Sequence, residues 1–254
     1  MITIKTQEEI KVLREGGRRL AAILTVLSGR VAAGVSSLEI DALGHQLALD
    51  GGDKPAFLGY RPAGIKIPYP ASVCISINEE VVHGIPKAEK IFNDGDVVTL
   101  DMGLVHGGLI TDSAITVIVG KGDEQAKKLV HATRTALEKG IAAALPGKTV
   151  GDIGFAIERY VKSLGFGQAE GLAGHGVGYK VHEDPYVPNT GKKGEGAVLK
   201  PGMVIAIEPM LTEGTGKVVF DKDGYTVRTK DKKRSAHSEH TIAITETGNL
   251  VLTR

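Results

Sequence analysis

Residues 96–119 read Asp-Val-Val-Thr-Leu-Asp-Met-Gly-Leu-Val-His-Gly-Gly-Leu-Ile-Thr-Asp-Ser-Ala-Ile-Thr-Val-Ile-Val. The apolar, β-branched runs Asp96–Gly103 and Leu109–Val119 predict two strands. Val105-His106-Gly107-Gly108 between them predicts a hairpin turn. With the turn centred on His106-Gly107, Asp101 and Asp112 stand directly opposite on one face, their Cβ atoms about 4.5–5.5 Å apart. Two like charges so placed repel, and Asp101 sits in an apolar run where an unpaired charge is expensive. A divalent cation between them removes the conflict; a pair of solvated surface acids is the alternative.

Outward from this hairpin, helices and strands alternate in blocks. Ile10, Leu13, Gly17, Leu20, Leu24 and Leu27 recur three and four apart and predict a first helix. Ser36-Ser37-Leu38-Glu39 is a capping-box pattern opening a second, through Ile40, Leu43 and Leu47 to Gly51-Gly52. The prolines at 55, 62, 68, 70 and 86 exclude a long helix from 53–86. Two more helices are expected, from about Glu124 to Leu145 and Thr149 to Leu164, then strands near 202–211 and 240–246. The 254 residues carry a net charge of +1 and 42% hydrophobic residues, enough for a sizeable core with no overall pull toward nucleic acid or anionic membrane. The N-terminus lacks an apolar signal core, and no apolar stretch approaches the roughly 18 residues of a membrane span. With Cys74 as the single cysteine there is no intramolecular disulfide, so a soluble protein of a reducing compartment is expected.

The order of elements suggests an internal duplication, with halves of approximately 1–120 and 121–254 in one domain. Ala33–Ile40 has a counterpart in Pro146–Ile153, and Asn93–Asp101 lines up with Lys200–Glu208. Asp112, in Thr-Asp-Ser-Ala-Ile-Thr-Val, corresponds to Glu239, in Ser-Glu-His-Thr-Ile-Ala-Ile. The duplication thus supplies two further acids, Glu208 and Glu239. Four carboxylates facing a shared axis repel without metal and provide oxygen ligands for two cations.

His175 lies in Gly-His-Gly-Val-Gly, His182 in Val-His-Glu-Asp-Pro and His83 in Val-Val-His-Gly-Ile-Pro. Spacing does not decide which of them binds metal. One histidine with four carboxylates suits Mn, Fe or Co, and Zn less obviously. Two such cations activate water and polarise a carbonyl, which is the recipe for hydrolysis. His-Glu-x-x-His and the phosphate-binding Gly-x-x-x-x-Gly-Lys-Ser/Thr are absent, which excludes a thermolysin-like protease and a P-loop.

The segments Ser72–Pro86, Leu100–Gly103, Gly174–Gly178, Ile207–Met210 and Ser238–Thr241 together resemble the type I methionine aminopeptidases, over nearly the whole chain from about residue 6. That resemblance implies an α+β pita-bread fold: a curved antiparallel sheet in two pseudo-symmetric halves, with helices on its outer face. It implies Asp101, Asp112, His175, Glu208 and Glu239 as ligands of two divalent ions (Co, Mn, Fe or Zn). Glu208 would also accept a proton from the nucleophilic water, with His182 at the oxyanion and His83 at the scissile-amide nitrogen. Tyr60, Tyr69, Cys74 and Tyr225 would build the methionine pocket, core packing being their alternative role. The implied activity is removal of the initiator methionine from nascent proteins with a small second residue, in the cytoplasm. The implied partners are nascent polypeptide N-termini and the ribosome as a further candidate, with no membrane, no specific nucleic acid and a monomeric chain.

The short spacing from His182 to Glu208 leaves no room for the insert of the type II enzymes. The chain is also too short for the domain that precedes the catalytic one in prolidase relatives. Three features depart from the family pattern: the long loop Arg61–Pro68, Phe57 where a smaller residue is common, and His237 where glutamine is frequent. The competing functions are a related metallo-exopeptidase of different first-residue preference and a catalytically silent pita-bread protein that binds ribosomes or nascent chains. The stretch Lys217–Arg234 is basic but also holds Asp221, Asp223 and Asp231, which favours a solvated hairpin over a surface for ribosomal RNA.

Overall fold

The structure is a computed structural model that describes residues 1–254 other than Ala63 and Lys66. Helices α1 (Gln7–Ser28) and α2 (Ser37–Asp50) come first, followed by strands β1 (Lys54–Pro55), β2 (Cys74–Ile77), β3 (Glu80–Val82), β4 (Val97–His106) and β5 (Leu109–Ile118). Helices α3 (Glu124–Ala143) and α4 (Val150–Lys162) open the second half. Its strands are β6 (Gly167–Gln168), β7 (Ala173–Gly176), β8 (Glu183–Pro188), β9 (Val204–Ile207), β10 (Met210–Thr212), β11 (Val218–Phe220), β12 (Val227–Thr229), β13 (Ser235–His237), β14 (Glu239–Ile244) and β15 (Asn249–Val251). A nine-stranded antiparallel sheet runs β1-β4-β5-β14-β9-β7-β8, with β2 on β4 and β15 on β14; β13-β10-β6 and β11-β12-β3 form two small sheets.

The expected hairpin is present with a corrected register. The turn is Gly107-Gly108, not His106-Gly107, and Asp101 stands opposite Ala114 while Asp112 stands opposite Gly103. Gly107 and Gly108 have φ of 57° and 83°, the pair of positive values a two-residue hairpin turn of this hand requires. Asp101 and Asp112 are therefore diagonal neighbours rather than a direct pair. A two-residue displacement preserves strand parity, so both still share a face. The strand expected over 202–211 is also broken in two, because Pro209 has no N–H to donate to a ladder. The helix ends at 143 and 162 fall two residues short of expectation.

Alternation along β4 and β9 separates core from site. Val98, Leu100, Met102 and Leu104 join a buried cluster with Leu20, Leu24 and Leu27 of α1 and Ile40 of α2. Ile205 and Ile207 join a second with Leu129 and Leu137 of α3 and Ile153 and Ile157 of α4. Asp101 and Glu208, one residue beyond Leu100 and Ile207, consequently face the other way. The two halves repeat the same construction before these strands. Ser36 and Thr149 each cap a helix within a capping box. Gly34 N donates to Phe92 O and Gly147 N to Leu199 O, both at 2.9 Å. Among the described residues no helix is long and apolar enough to cross a membrane.

Candidate metal centre

Four carboxylates and one imidazole meet on the open face of the large sheet. Asp101 of β4 and Glu239 of β14 both stand across from Ala114 of β5, and Asp112 lies two residues before Ala114 on the same face. Glu208 follows β9 directly, one step beyond the His240–Ile207 pair, which brings it alongside Glu239. His175 enters from β7, its Nε2 3.4 Å from Glu208 Oε1. Asp112, His175 and Glu239 each offer a ligand atom, all within 4.8 Å of one another. His175 Nδ1 lies 2.9 Å from the Gly176 carbonyl oxygen. A carbonyl can only accept, so Nδ1 carries the proton and Nε2 keeps a lone pair toward the acids, the tautomer a metal ligand needs.

Hydroxyls missed in the sequence stitch these strands together. Asp112 N donates to Thr241 Oγ1 at 2.9 Å, and that hydroxyl donates to Asp112 O at 2.7 Å. Ser113 Oγ donates to Glu239 O at 2.8 Å, and Asn189 Nδ2 to Glu208 O at 3.0 Å. For Thr241 the signal was a hydroxyl directly before the apolar run Ile242-Ala243-Ile244, where burial demands a partner; Ser113 and Asn189, among polar neighbours, carried none.

Burial pushes every carboxyl of the cluster upward. Asp112 and Glu208 rise to about 8, Asp112 also through the charge of Glu208. Asp101 and Glu239 go well above the usual carboxylate range, by burial first and repulsion from neighbouring acids second. Asp101 Oδ1, Asp112 Oδ1 and Glu239 Oε1 are buried without a hydrogen-bond partner among the described residues. Orphaned carboxyl oxygens, a neutral imidazole lone pair and raised carboxyl pKa values fit a site for divalent cations, whose charge would reverse those shifts.

The cluster floors a cavity of about 1000 Å³ that also takes in His83, His182, Tyr60, Tyr69, Cys74 and Tyr225. His83 adopts a left-handed backbone, φ 58°, rare for a non-glycine residue and frequent at functional sites. Burial lowers its pKa to about 4 and that of His175 to about 3. His182 packs edge-on to His175, centroids 4.4 Å apart, and its Nδ1 shares a 2.9 Å hydrogen bond with Tyr60 Oη. Tyr69, Cys74 and Tyr225 form a buried cluster with Phe57. Tyr69 Oη donates to Gly84 O at 3.0 Å and Tyr225 Oη to Ile67 O at 2.5 Å.

Of the three features singled out in the sequence, Phe57 lines this wall, while Ala63 and Lys66 of the 61–68 loop lie outside the described residues. His237 of β13 is buried against the acids, its Nε2 3.4 Å from Glu208 Oε2, and neither ring nitrogen has a hydrogen-bond partner among the described residues. The basic stretch 217–234 contains the β11–β12 hairpin, with Arg228 paired to Glu79, Glu80 and Asp221 and Arg234 to Asp123 and Glu213.

Comparison with known proteins gives this geometry a family. Residues 11–246 match the model of metallopeptidase family M24. The methionine aminopeptidase of Aquifex aeolicus (strain VF5) is 48% identical over 256 residues, covering 99% of this chain and 98% of that protein. Methionine aminopeptidase 1 of Bacillus subtilis (strain 168) is 41% identical over 254 residues, covering 100% of both. The crystal structure of methionine aminopeptidase from Thermotoga maritima superposes with a TM-score of 0.95 at 44% identity, covering 100% of both chains. The chain with this acid-lined cavity and pita-bread sheet belongs to the methionine aminopeptidases of metallopeptidase family M24.

Proposed function

We infer that this protein removes the initiator methionine from the N-termini of nascent proteins, acting on those whose second residue is small. The observation that carries this reading is the convergence of Asp101, Asp112, His175, Glu208 and Glu239 on the floor of a cavity with aromatic walls. In this reading those five side chains hold two divalent ions, with Mn, Fe, Co and Zn as the candidates. Bound there, such ions lower the pKa of a water and polarise a carbonyl.

The remaining roles belong to the chain's own groups. Glu208 takes the proton of the attacking water. Tyr60 Oη and His182 Nδ1 share a 2.9 Å hydrogen bond, and in this reading the hydroxyl is the donor, which leaves His182 Nε2 a proton to offer the oxygen of the scissile carbonyl. His83 faces the amide nitrogen as it leaves. Tyr60, Tyr69, Cys74 and Tyr225 enclose the methionine side chain, whose thioether makes favourable contacts with aromatic edges. We further assign the chain to the cytoplasm, as a monomer acting as one catalytic unit of two halves, 1–120 and 121–254.

The deciding measurement is methionine release from Met-Ala-Ser and Met-Leu-Ser by metal-loaded protein, with Asp101→Asn as control. Rapid release from the first peptide alone, abolished in the variant, is expected. Release from neither peptide sinks the reading, and equal release of other first residues replaces it with a broader exopeptidase.

A further inference from the structure

Residues 177–182, which carry His182 from β7 to β8, lie outside helix and strand. Backbone hydrogen bonds from Val177 N to Val204 O and from Ile110 N to Gly178 O anchor its start, Tyr179 Oη donates to Glu9 Oε1, and the neighbouring side chain, Glu183, holds its middle. Its Oε1 accepts the backbone N–H groups of Tyr179 and Lys180, at 2.5 and 2.9 Å. Its Oε2 accepts Thr3 Oγ1 at 2.6 Å and Lys5 Nζ at 2.8 Å. The Lys5 and Glu183 side chains are 1% and 5% exposed, the most deeply buried ion pair among the described residues.

Lys5 is itself fixed from several sides. Its backbone N–H donates to Gly202 O at 2.8 Å, and its ammonium lies 4.8 Å from the centroid of the Tyr179 ring. Its stem fills the space over Gly178, where a Cβ would come within 2.5 Å of Lys5 Cε. Gly178 O in turn accepts Ile110 N at 2.7 Å, two residues before Asp112. Desolvation offsets most of the attraction within a buried ion pair, so such a pair is a poor source of net stability and a good device for fixing one geometry. Among the described residues the one side-chain hydrogen bond of His182 is to Tyr60, so the direction of its ring depends on where the backbone of this segment is held.

We propose that Thr3, Lys5 and Glu183 form a positioning clamp that fixes the 177–182 segment so that the His182 imidazole meets the scissile carbonyl. The clamp rests on the role assigned to His182 above. None of the three clamp residues touches the reacting atoms; they act through His182.

The test is a double-mutant cycle on metal-loaded full-length protein, with kcat and KM measured for Met-Ala-Ser. His182→Ala is expected to lower kcat about 100-fold, the size of a lost oxyanion donor. Glu183→Gln alone is expected to lower kcat about 10-fold or more, as misplacing a positioned group does, with KM within about threefold. Added to His182→Ala, it is expected to change kcat by less than about twofold, because coupled residues are not additive. Thr3→Val keeps the ion pair and should reproduce the pattern at smaller amplitude, as should the uncharged pair Lys5→Met with Glu183→Gln if the single variant fails to fold. Metal affinity by calorimetry should stay unchanged in all of them. Losses that multiply in the double variant, or a His182→Ala enzyme with unchanged kcat, overturn the clamp. Cleavage by the parent protein and its loss in Asp101→Asn stand in either case, so this failure is separate from failure of the functional reading.

Discussion

On the acid floor of the cavity each carboxylate stands on or beside a strand whose neighbours fix its register, whereas on the aromatic wall Tyr60, Tyr69, His182 and Tyr225 stand on loops held by individual hydrogen bonds. Strand pairing admits discrete steps. An acid on β4, β5 or β14 is either on the open face or on the helix face, and a change there acts in an all-or-none way. Loop side chains have graded positions, set by contacts worth about 1 kcal/mol each. In the proposed mechanism the floor therefore governs whether chemistry occurs, and the wall governs rate and preference.

The sharpest break in that contrast is Asp112→Asn. It leaves the register intact and removes one anionic ligand, and loss of several kcal/mol of transition-state stabilisation predicts a fall in kcat of about 1000-fold or more. In chelator the same variant should melt higher than the parent, because it removes a buried carboxyl that folding must protonate, a cost set first by burial and second by the charge of Glu208; a lower melting temperature would contradict the burial argument. Ala114→Leu comes next. Ala114 is 2% exposed and directly opposite both Asp101 and Glu239. A larger side chain should crowd the ligand space while every ligand remains, lowering metal affinity by roughly 100-fold, of the order of 3 kcal/mol of overpacking. Calorimetric titration with Mn would read it, and undiminished affinity would separate the sheet geometry from the site.

Removal of metal should also expose a pH dependence. Asp112 and Glu208 have folded pKa values of about 8, above their unfolded values, so the folded state binds the extra protons and stability falls as pH rises toward 8. His175 and His237, lowered by burial to about 3, work oppositely, adding stability as pH rises from about 3 to their ordinary value of 6.5. Between pH 6.5 and 8 the acids act alone. Chelated protein should then lose on the order of 1 kcal/mol per pH unit for each of these two acids, while metal-loaded protein stays flat. Thermal melts with and without chelator decide it, and parallel curves would contradict it.

The same contrast explains what was legible in the sequence. Asp101 and Glu208 announced themselves as acids inside or beside apolar strands, and the recurrence of one pattern in two halves linked Asp101 to Glu208 and Asp112 to Glu239. The turn was misplaced by a residue because His-Gly and Gly-Gly both read as turn dipeptides, and the positive φ of Gly107 and Gly108 decides between them. Parity protected the conclusion from that error. The short strands β6, β7, β11 and β13 left little alternation to read, and the partnership of Thr3, Lys5 and Glu183 was invisible, because nothing local in sequence relates residue 5 to residue 183.

On the loop wall the expected effects shrink. Tyr60→Phe removes the hydroxyl bonded to His182 Nδ1 and should lower kcat about five- to tenfold, the worth of one hydrogen bond, with melting temperature nearly unchanged. A shift in KM alone would leave Tyr60 its place in the methionine pocket and no part in orienting His182.

His237 is the instructive intermediate, a strand residue of β13 that touches the acid cluster from behind Glu208. Both of its ring nitrogens are buried without partners among the described residues, an arrangement that costs about 1–3 kcal/mol per unsatisfied group. His237→Gln exchanges the ring for a flexible amide that can turn an N–H toward Glu208 Oε2. Register on β13 is set by backbone pairing with β10, so the strand should not move. The expected outcome is a metal-free protein more stable by about 1 kcal/mol, a rise of roughly 2–4 °C in Tm, with kcat/KM within about threefold of the parent. A tenfold loss of kcat/KM at unchanged Tm would make the imidazole a working partner of Glu208, and the division between an all-or-none floor and a graded wall would have to include a third, supporting layer behind the acids.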